Sequence, residues 1–380
     1  MQLTFLEPLL DRRGPWATVY FNPVQRDEWG IIRRGLLVRE ACQTLEDEGA
    51  DPATVQAVHD ALTDVTPQEN PAGLVLFAAG GEVALTWRLS RPPQGPIAYW
   101  APLPRLTPLL ELAGQDPLCL VAYVDRTGAD FELRGAAGPK DFGSVEGRQS
   151  PVHRTASGDW SQRHFQLKVE NTWEHNAGEI AEALASAYEE SGAELVVLVG
   201  DVRERPAVLE RLPEPVREVT VATEHGGRAP GSSSPALEEA IEQARQEHAH
   251  RRVEKALDRF RAGRSETGSR ADAVEGVPAL VEAAQEHRID TLLVRPDGLE
   301  LTIETWVGAA PDQVTVRRAD AETLGEVDPV AVRADDALLR AAAATAADVL
   351  FVPPADVEEP DVPAGGLGAL LRWAQEPSAA

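Results

Sequence analysis

Between Arg148 and Lys168 the chain collects side chains suited to contacting an anionic, base-bearing polymer. Arg148, Arg154, Arg163 and Lys168 are fixed cations, His153 and His164 add two titratable donors, and Asp159 is the only acid among them. Trp160 lies in the middle of the set. Guanidinium and ammonium groups meet phosphate oxygens, and an exposed indole can stack on a base. The chain as a whole carries a formal charge of -26 over 380 residues. A local excess of positive charge therefore stands out against an acidic background.

Other chemistries lack their residues. There is no Gly-x-x-x-x-Gly-Lys-Ser/Thr, no Gly-x-Gly-x-x-Gly after a strand, and no Gly-x-Ser-x-Gly elbow. His153 and His164 have no Cys or carboxylate pattern beside them, and His248 and His250 cannot share one helix face. Cys42 and Cys119 are the only cysteines and lie far apart. No metal and no cofactor is expected. Gly147-Arg148-Gln149 reads as an ordinary loop tripeptide, and Gly226-Gly227-Arg228 as a flexible joint.

The elements that must hold the cationic stretch can be read from periodicity. Leu118–Val124 is a strand, Asp125–Gly128 a turn, and Ala129–Leu133 the returning hairpin arm. A basic loop over 147–166 follows. It opens a helix from near Ser161 to Glu190, with Phe165, Val169, Trp173, Ile180, Leu184 and Tyr188 at helical spacing. Trp173 falls on that apolar stripe and should be buried. Trp160 falls at the loop tip and should be exposed. Leu195–Val199 and Val219–Val221 supply two more strands.

The flanks read as further α/β units. Upstream come strand Trp16–Phe21, a helix near 27–48, a helix capped by Asp51-Pro52, and a hairpin over 74–87. Downstream, 225–234 has linker composition, and Leu237–Phe260 is a helix with an Arg-rich second half. Helix-then-strand repeats at 277–294 and 335–352 follow, and a short helix over 367–373 closes the chain. The expected fold is α/β, as three consecutive domains: 1–115, 116–232 carrying the loop, and 233–380, the last a small α/β/α sandwich with a lead-in helix.

Net acidity argues against nucleic-acid binding through the bulk surface. Residues 266–380 alone carry a net charge of -14, so the last third is expected to face protein. No apolar run approaches 18 residues and no cationic–apolar leader is evident, which leads to a cytoplasmic expectation without membrane contact.

Gly158-Asp159-Trp160-Ser161-Gln162-Arg163-His164-Phe165 resembles the tip of the central domain of archaeal and eukaryotic class 1 peptide chain release factors. In that family a basic loop ends in Gly-Gly-Gln-Ser, with an aromatic residue and a long helix after it. Gly158, Ser161 and Phe165 match; Asp159 replaces the second Gly and Trp160 the Gln. The combination is similar to bacterial relatives of these factors, including an actinobacterial hibernation-factor-like group, and the likeness covers most of the chain.

The resemblance implies a ribosome-associated stress factor that occupies the aminoacyl-tRNA site of idle ribosomes. Arg148, His153, Arg154, Gly158, Asp159, Trp160, Ser161, Gln162, Arg163 and His164 would form the RNA-binding loop. The partners would be rRNA, P-site tRNA and a translational GTPase, the last through the C-terminal domain. Arg33, Arg34 and Arg39 would be candidate contacts at the decoding site. The alternative is a peptidyl-tRNA hydrolase in ribosome rescue, in which Gln162 would be the catalytic candidate. The degenerate tip argues for little or no hydrolysis.

Overall fold

The computed structural model describes residues 3–10, 12, 14–23, 28–64, 72–113, 116–135, 138–147, 159–229, 232, 234–265, 272–323, 325, 328–354 and 362–373. For 28–31 and 159–172 it describes the backbone alone. In order, the N-terminal elements are α1 (Glu7–Leu10), β1 (Trp16–Phe21), α2 (Glu28–Asp47), α3 (Pro52–Thr63), β2 (Gly73–Ala79), β3 (Glu82–Leu89), β4 (Ile97–Ala101) and α4 (Thr107–Ala113). The central ones are β5 (Cys119–Asp125), β6 (Gly128–Gly135), β7 (Gly138–Glu146), α5 (Asp159–Ser191), β8 (Leu195–Val199), α6 (Glu204–Leu209), α7 (Glu214–Glu218), β9 (Thr220–Thr223) and α8 (Pro235–Ser265). The C-terminal ones are β10 (Ala273–Glu275), α9 (Val277–Gln285), β11 (Ile289–Val294), β12 (Glu304–Val307), β13 (Val314–Thr315), α10 (Arg318–Thr323), β14 (Val330–Arg333), α11 (Ala334–Ala344), β15 (Asp348–Phe351) and β16 (Leu367–Leu371).

Packing groups the chain into two compact units, residues 116–249 in one and residues 1–115 with 250–380 in the other. In the central unit the sheet order is β7-β6-β5-β8-β9, with β5–β8 and β8–β9 parallel and β5–β6 and β6–β7 antiparallel. Alternation along the strands decides which face each residue joins. Leu120, Ala122, Val196 and Leu198 pack with Ala177, Ile180, Ala181 and Leu184 of α5. Cys119, Val121, Leu195, Val197 and Val199 pack with Leu237, Ile241 and Ala244 of α8. A strand covered on both faces reads as an unbroken apolar run, as β5 and β8 do.

In the other unit β3-β2-β1-β4 is fully antiparallel. One face of β1 (Ala17, Val19, Phe21) packs on Val38, Leu45, Val55, Val58 and Leu62 of α2 and α3. The other (Trp16, Tyr20) joins a core shared with α9, α11 and β11. The sheet β10-β16-β11-β15 has α9 and α11 on one face. Val253, Ala256, Leu257 and Phe260 of α8 cover its other face. These layers make the expected α/β/α sandwich, with the small antiparallel sheet β13-β12-β14 beside it.

One local expectation is corrected. Residues 367–371 form a fully buried strand between β10 and β11, not a helix. Leu367, Leu370 and Leu371 have helical spacing, but two neighbouring strands offer their backbones as hydrogen-bonding partners. β7 lies outside the elements read from the sequence. Its Gly138-Pro139-Lys140-Asp141 start looks like a turn, yet register with β6 makes it an exposed edge strand.

Candidate functional site

The strand that precedes residues 148–158 ends at a pinned base. At the β5–β6 turn, Asp125 Oδ1 accepts the Thr127 amide at 2.7 Å, the Thr127 hydroxyl at 2.7 Å and the Gly128 amide at 2.9 Å. Burial raises the Asp125 pKa, but these bonds and Arg228 outweigh it, and the carboxyl is held below its ordinary range. β7 ends beside this turn, where the Gly147 amide donates to Thr127 O at 2.6 Å. A Cβ on Gly147 would lie 2.6 Å from Asn176 Cγ of α5, so only glycine lets the strand and helix meet there. Asn176 is buried and donates to Arg126 O at 2.9 Å.

Arg228 locks the same base from the far side. Its guanidinium lies 3.3 Å from Asp125, 3.0 Å from Asp130 and 2.5 Å from Glu146. It also donates to Thr127 Oγ1 at 3.2 Å. Gly226-Gly227-Arg228 was expected to be a flexible joint; its arginine is instead 11% exposed and committed to three carboxylates. Composition could not reveal this, because all three acids lie about 80–100 residues upstream.

From Asn176 the helix runs back seventeen residues to Asp159, about 26 Å at 1.5 Å per residue. The loop's first anchor at Gly147 and the helix start at Asp159 are thus far apart along α5. The apolar packing described for α5 begins at Trp173, which is half-buried against the central core rather than fully buried. Arg148, His153, Arg154 and Gly158 lie outside the described residues. Asp159, Trp160, Ser161, Gln162, Arg163 and His164 have helical backbone. α5 therefore starts two residues before the expected Ser161, and Trp160 lies in its first turn. The first four amides of any helix lack intrahelical acceptors. Here Asp159, Trp160 and Ser161 carry such amides, at the positive end of the helix dipole.

The other candidates lie on α2. Arg34 donates to Leu62 O at 2.5 Å and Thr63 O at 2.6 Å, capping the C-terminus of α3, and burial lowers its pKa. Arg33 and Arg39 are exposed, and Arg39 Nε donates to Gly35 O at 3.1 Å. Among the described residues no cluster of three His, Cys, Asp or Glu could hold a metal, and no helix is long and apolar enough to cross a membrane.

Comparison with known proteins places this architecture among the release-factor-like proteins. Residues 118–266, which span the β5–β6 turn, the cationic stretch, α5 and the whole of α8, match bacterial archaeo-eukaryotic release factor family 2. The whole chain is 30% identical over 372 residues to the uncharacterized protein Rv2629 of Mycobacterium tuberculosis, covering 96% of this chain and 95% of that one. The chain belongs to the bacterial family of archaeo-eukaryotic release-factor relatives. Among solved structures it is similar to the archaeal translation termination factor aRF1, at 17% identity, 97% coverage of each chain and a TM-score of 0.24. It is also similar to ribosome-bound archaeal Pelota, at 13% identity, 98% and 95% coverage and a TM-score of 0.41.

Proposed function

We propose that this chain is a cytoplasmic, ribosome-associated factor that occupies the aminoacyl-tRNA site of idle ribosomes and does not hydrolyse peptidyl-tRNA. The carrying observation is the helix start: Asp159-Trp160 stands where the family's hydrolytic tip has Gly-Gln, and both residues have helical backbone. A hydrolytic tip needs a glycine-permitted close approach and a donor aimed at a developing oxyanion. Asp159 would place negative charge there, and Trp is far bulkier than Gln.

The remaining equipment suits binding. Arg148, Arg154, Arg163 and Lys168 would contact phosphates of rRNA or P-site tRNA, the free amides of the α5 start would favour the same anions, and Trp160 would stack on a base. Arg33 and Arg39 would face the decoding site, with Arg34 already occupied at α3. The acidic residues of 266–380 would face a translational GTPase.

The test is co-sedimentation with vacant ribosomes over a salt series, with release of labelled peptide measured in parallel. Binding should fall by roughly one log per log of salt for each phosphate contact, without peptide release. Salt-independent binding or efficient release would overturn the reading.

A further inference from the structure

A cavity of about 240 Å³ opens within the unit formed by residues 1–115 and 250–380. Ala101, Pro102, Leu103 and Val332 give it a short apolar wall, and Arg105 and Arg333 bring two guanidinium groups to it. The two arginines are not equally committed. Arg333 spends Nε and Nη2 on Asp335, at 2.9 Å and 2.7 Å. Arg105 spends only Nη1, on Asp336, and its buried Nε has no hydrogen-bond partner among the described residues. The Tyr99 ring centre lies 5.4 Å from the Arg105 guanidinium and helps to hold its plane.

The charges around the cavity do not cancel. Asp335 answers Arg333. Asp336 is 2% exposed, and burial with Asp335 beside it favours its neutral form, against the pull of Arg105, Arg333 and the Leu106 amide. Arg105 therefore keeps a positive charge that no buried carboxylate offsets. Glu304, the remaining acid of the lining, is exposed at the rim and makes no ion pair among the described residues. An arginine with its Nε edge unspent is shaped to take a carboxylate by two parallel N–H···O bonds. A single excess charge suits a monoanion, and Glu304 repels a dianion about twice as strongly.

We propose that this cavity binds a small monocarboxylate, with its carboxylate on Arg105 beside Arg333 and its short apolar end against Pro102, Leu103 and Val332. The site uses neither the cationic stretch nor Arg33 and Arg39, so it stands or falls separately from the function proposed above.

The probes are propionate and propionamide, which has nearly the same shape without the charge. A saturation-transfer NMR titration of the full chain should detect propionate with a Kd of about 1 mM, the affinity range of a very small ligand. Propionamide should bind at least about tenfold more weakly, because it forfeits the charge-assisted bonds to guanidinium. Two substitutions change the charge at the rim without touching either arginine. Thr302 and Glu304 are exposed lining residues, so both variants should fold and melt like the parent. Thr302→Asp should weaken propionate binding by about two- to fivefold, and Glu304→Gln should tighten it by about the same factor. No propionate signal, equal binding of propionamide, or an affinity unmoved in both folded variants would each overturn the proposal. Displacement of propionate by an equal concentration of inorganic phosphate would overturn it too, by making the cavity a phosphate site.

Discussion

Thr107 donates its hydroxyl hydrogen to Asp335 Oδ2 at 2.7 Å, tying the start of α4 to the start of α11 across 228 residues of sequence. Arg333 grips the same carboxylate with Nε at 2.9 Å and Nη2 at 2.7 Å, and Arg105 holds the neighbouring Asp336. The Arg105 amide donates to Thr18 Oγ1 at 3.1 Å and its carbonyl accepts the Tyr20 hydroxyl at 2.7 Å, which ties the cluster to β1. Two adjacent buried carboxylates cannot be equally comfortable when ionised.

Stability should therefore depend on the protonation of Asp336. Burial pushes its pKa well above the ordinary value and Asp335 adds to the rise, while Arg105, Arg333 and the Leu106 amide pull the other way. Between the unfolded value of about 3.9 and the raised folded value, the native state keeps a proton that the unfolded chain has released. This contribution is fully present below the unfolded pKa and is lost as pH rises through the folded pKa. Asp336→Asn carries no such proton, so its melting temperature should gain on the parent's as pH rises from about 4 to about 8. A constant gap between the two melting curves would show that Asp336 does not titrate in this window.

The Arg228 lock predicts a local effect at the base of the loop. Arg228→Met should destabilise the protein by about 1–3 kcal/mol, the partners being partly exposed, because Asp125, Asp130 and Glu146 lose their shared cation. Arg228→Lys should recover only part of this, since an ammonium cannot fork between several acceptors. Hydrogen exchange should speed at the Gly128 and Gly147 amides, which close on Asp125 and Thr127. Unchanged protection there would mean that the turn holds without Arg228.

Trp160 and Trp173 should separate binding from stability. Trp173 packs half-buried against the central core, so Trp173→Ala should cost about 1–3 kcal/mol, less than the roughly 3–5 kcal/mol of a fully buried aromatic. Trp160→Ala should leave the melting temperature close to the parent's while weakening ribosome association by about 1–3 kcal/mol, the worth of a lost base stack. A Trp160→Ala protein that melts like a core mutant, or that sediments with ribosomes as well as the parent, would remove Trp160 from the interface.

What could be read from the sequence follows a physical divide. Strands β1, β5 and β8 and helix α3 were legible because their signals are local. The strands are continuous apolar runs, and Asp51 Oδ1 accepts the Thr54 amide at 2.9 Å, as its place before Pro52 suggests. The family likeness was equally legible, because Gly158, Ser161 and Phe165 keep their spacing. Non-local partners were not. β7 and β16 owe their conformation to neighbouring strands, and nothing near Arg228 or Arg105 announces the carboxylates that meet them. The bond between Arg34 and α3 also turned one expected contact residue into a helix cap.

The α5 start gives the sharpest test of catalysis. Asp159→Gly with Trp160→Gln recreates the Gly-Gly-Gln-Ser order with Gly158 and Ser161. Glycine is about 1 kcal/mol worse than alanine inside a helix, so the double variant should also loosen the first turn of α5 and let the backbone approach a tRNA end. It should release labelled peptide from ribosome–tRNA complexes measurably faster than the parent, which should release almost none. Gln162→Ala in the parent background should change nothing, because Gln162 lies inside the helix and not at the position of the family's Gln. If the parent releases peptide efficiently and Gln162→Ala abolishes that release, the chain is a peptidyl-tRNA hydrolase acting through Gln162. If the double variant stays silent yet still binds ribosomes, the tip has lost more than two side chains, and its spacing from the catalytic centre must differ as well.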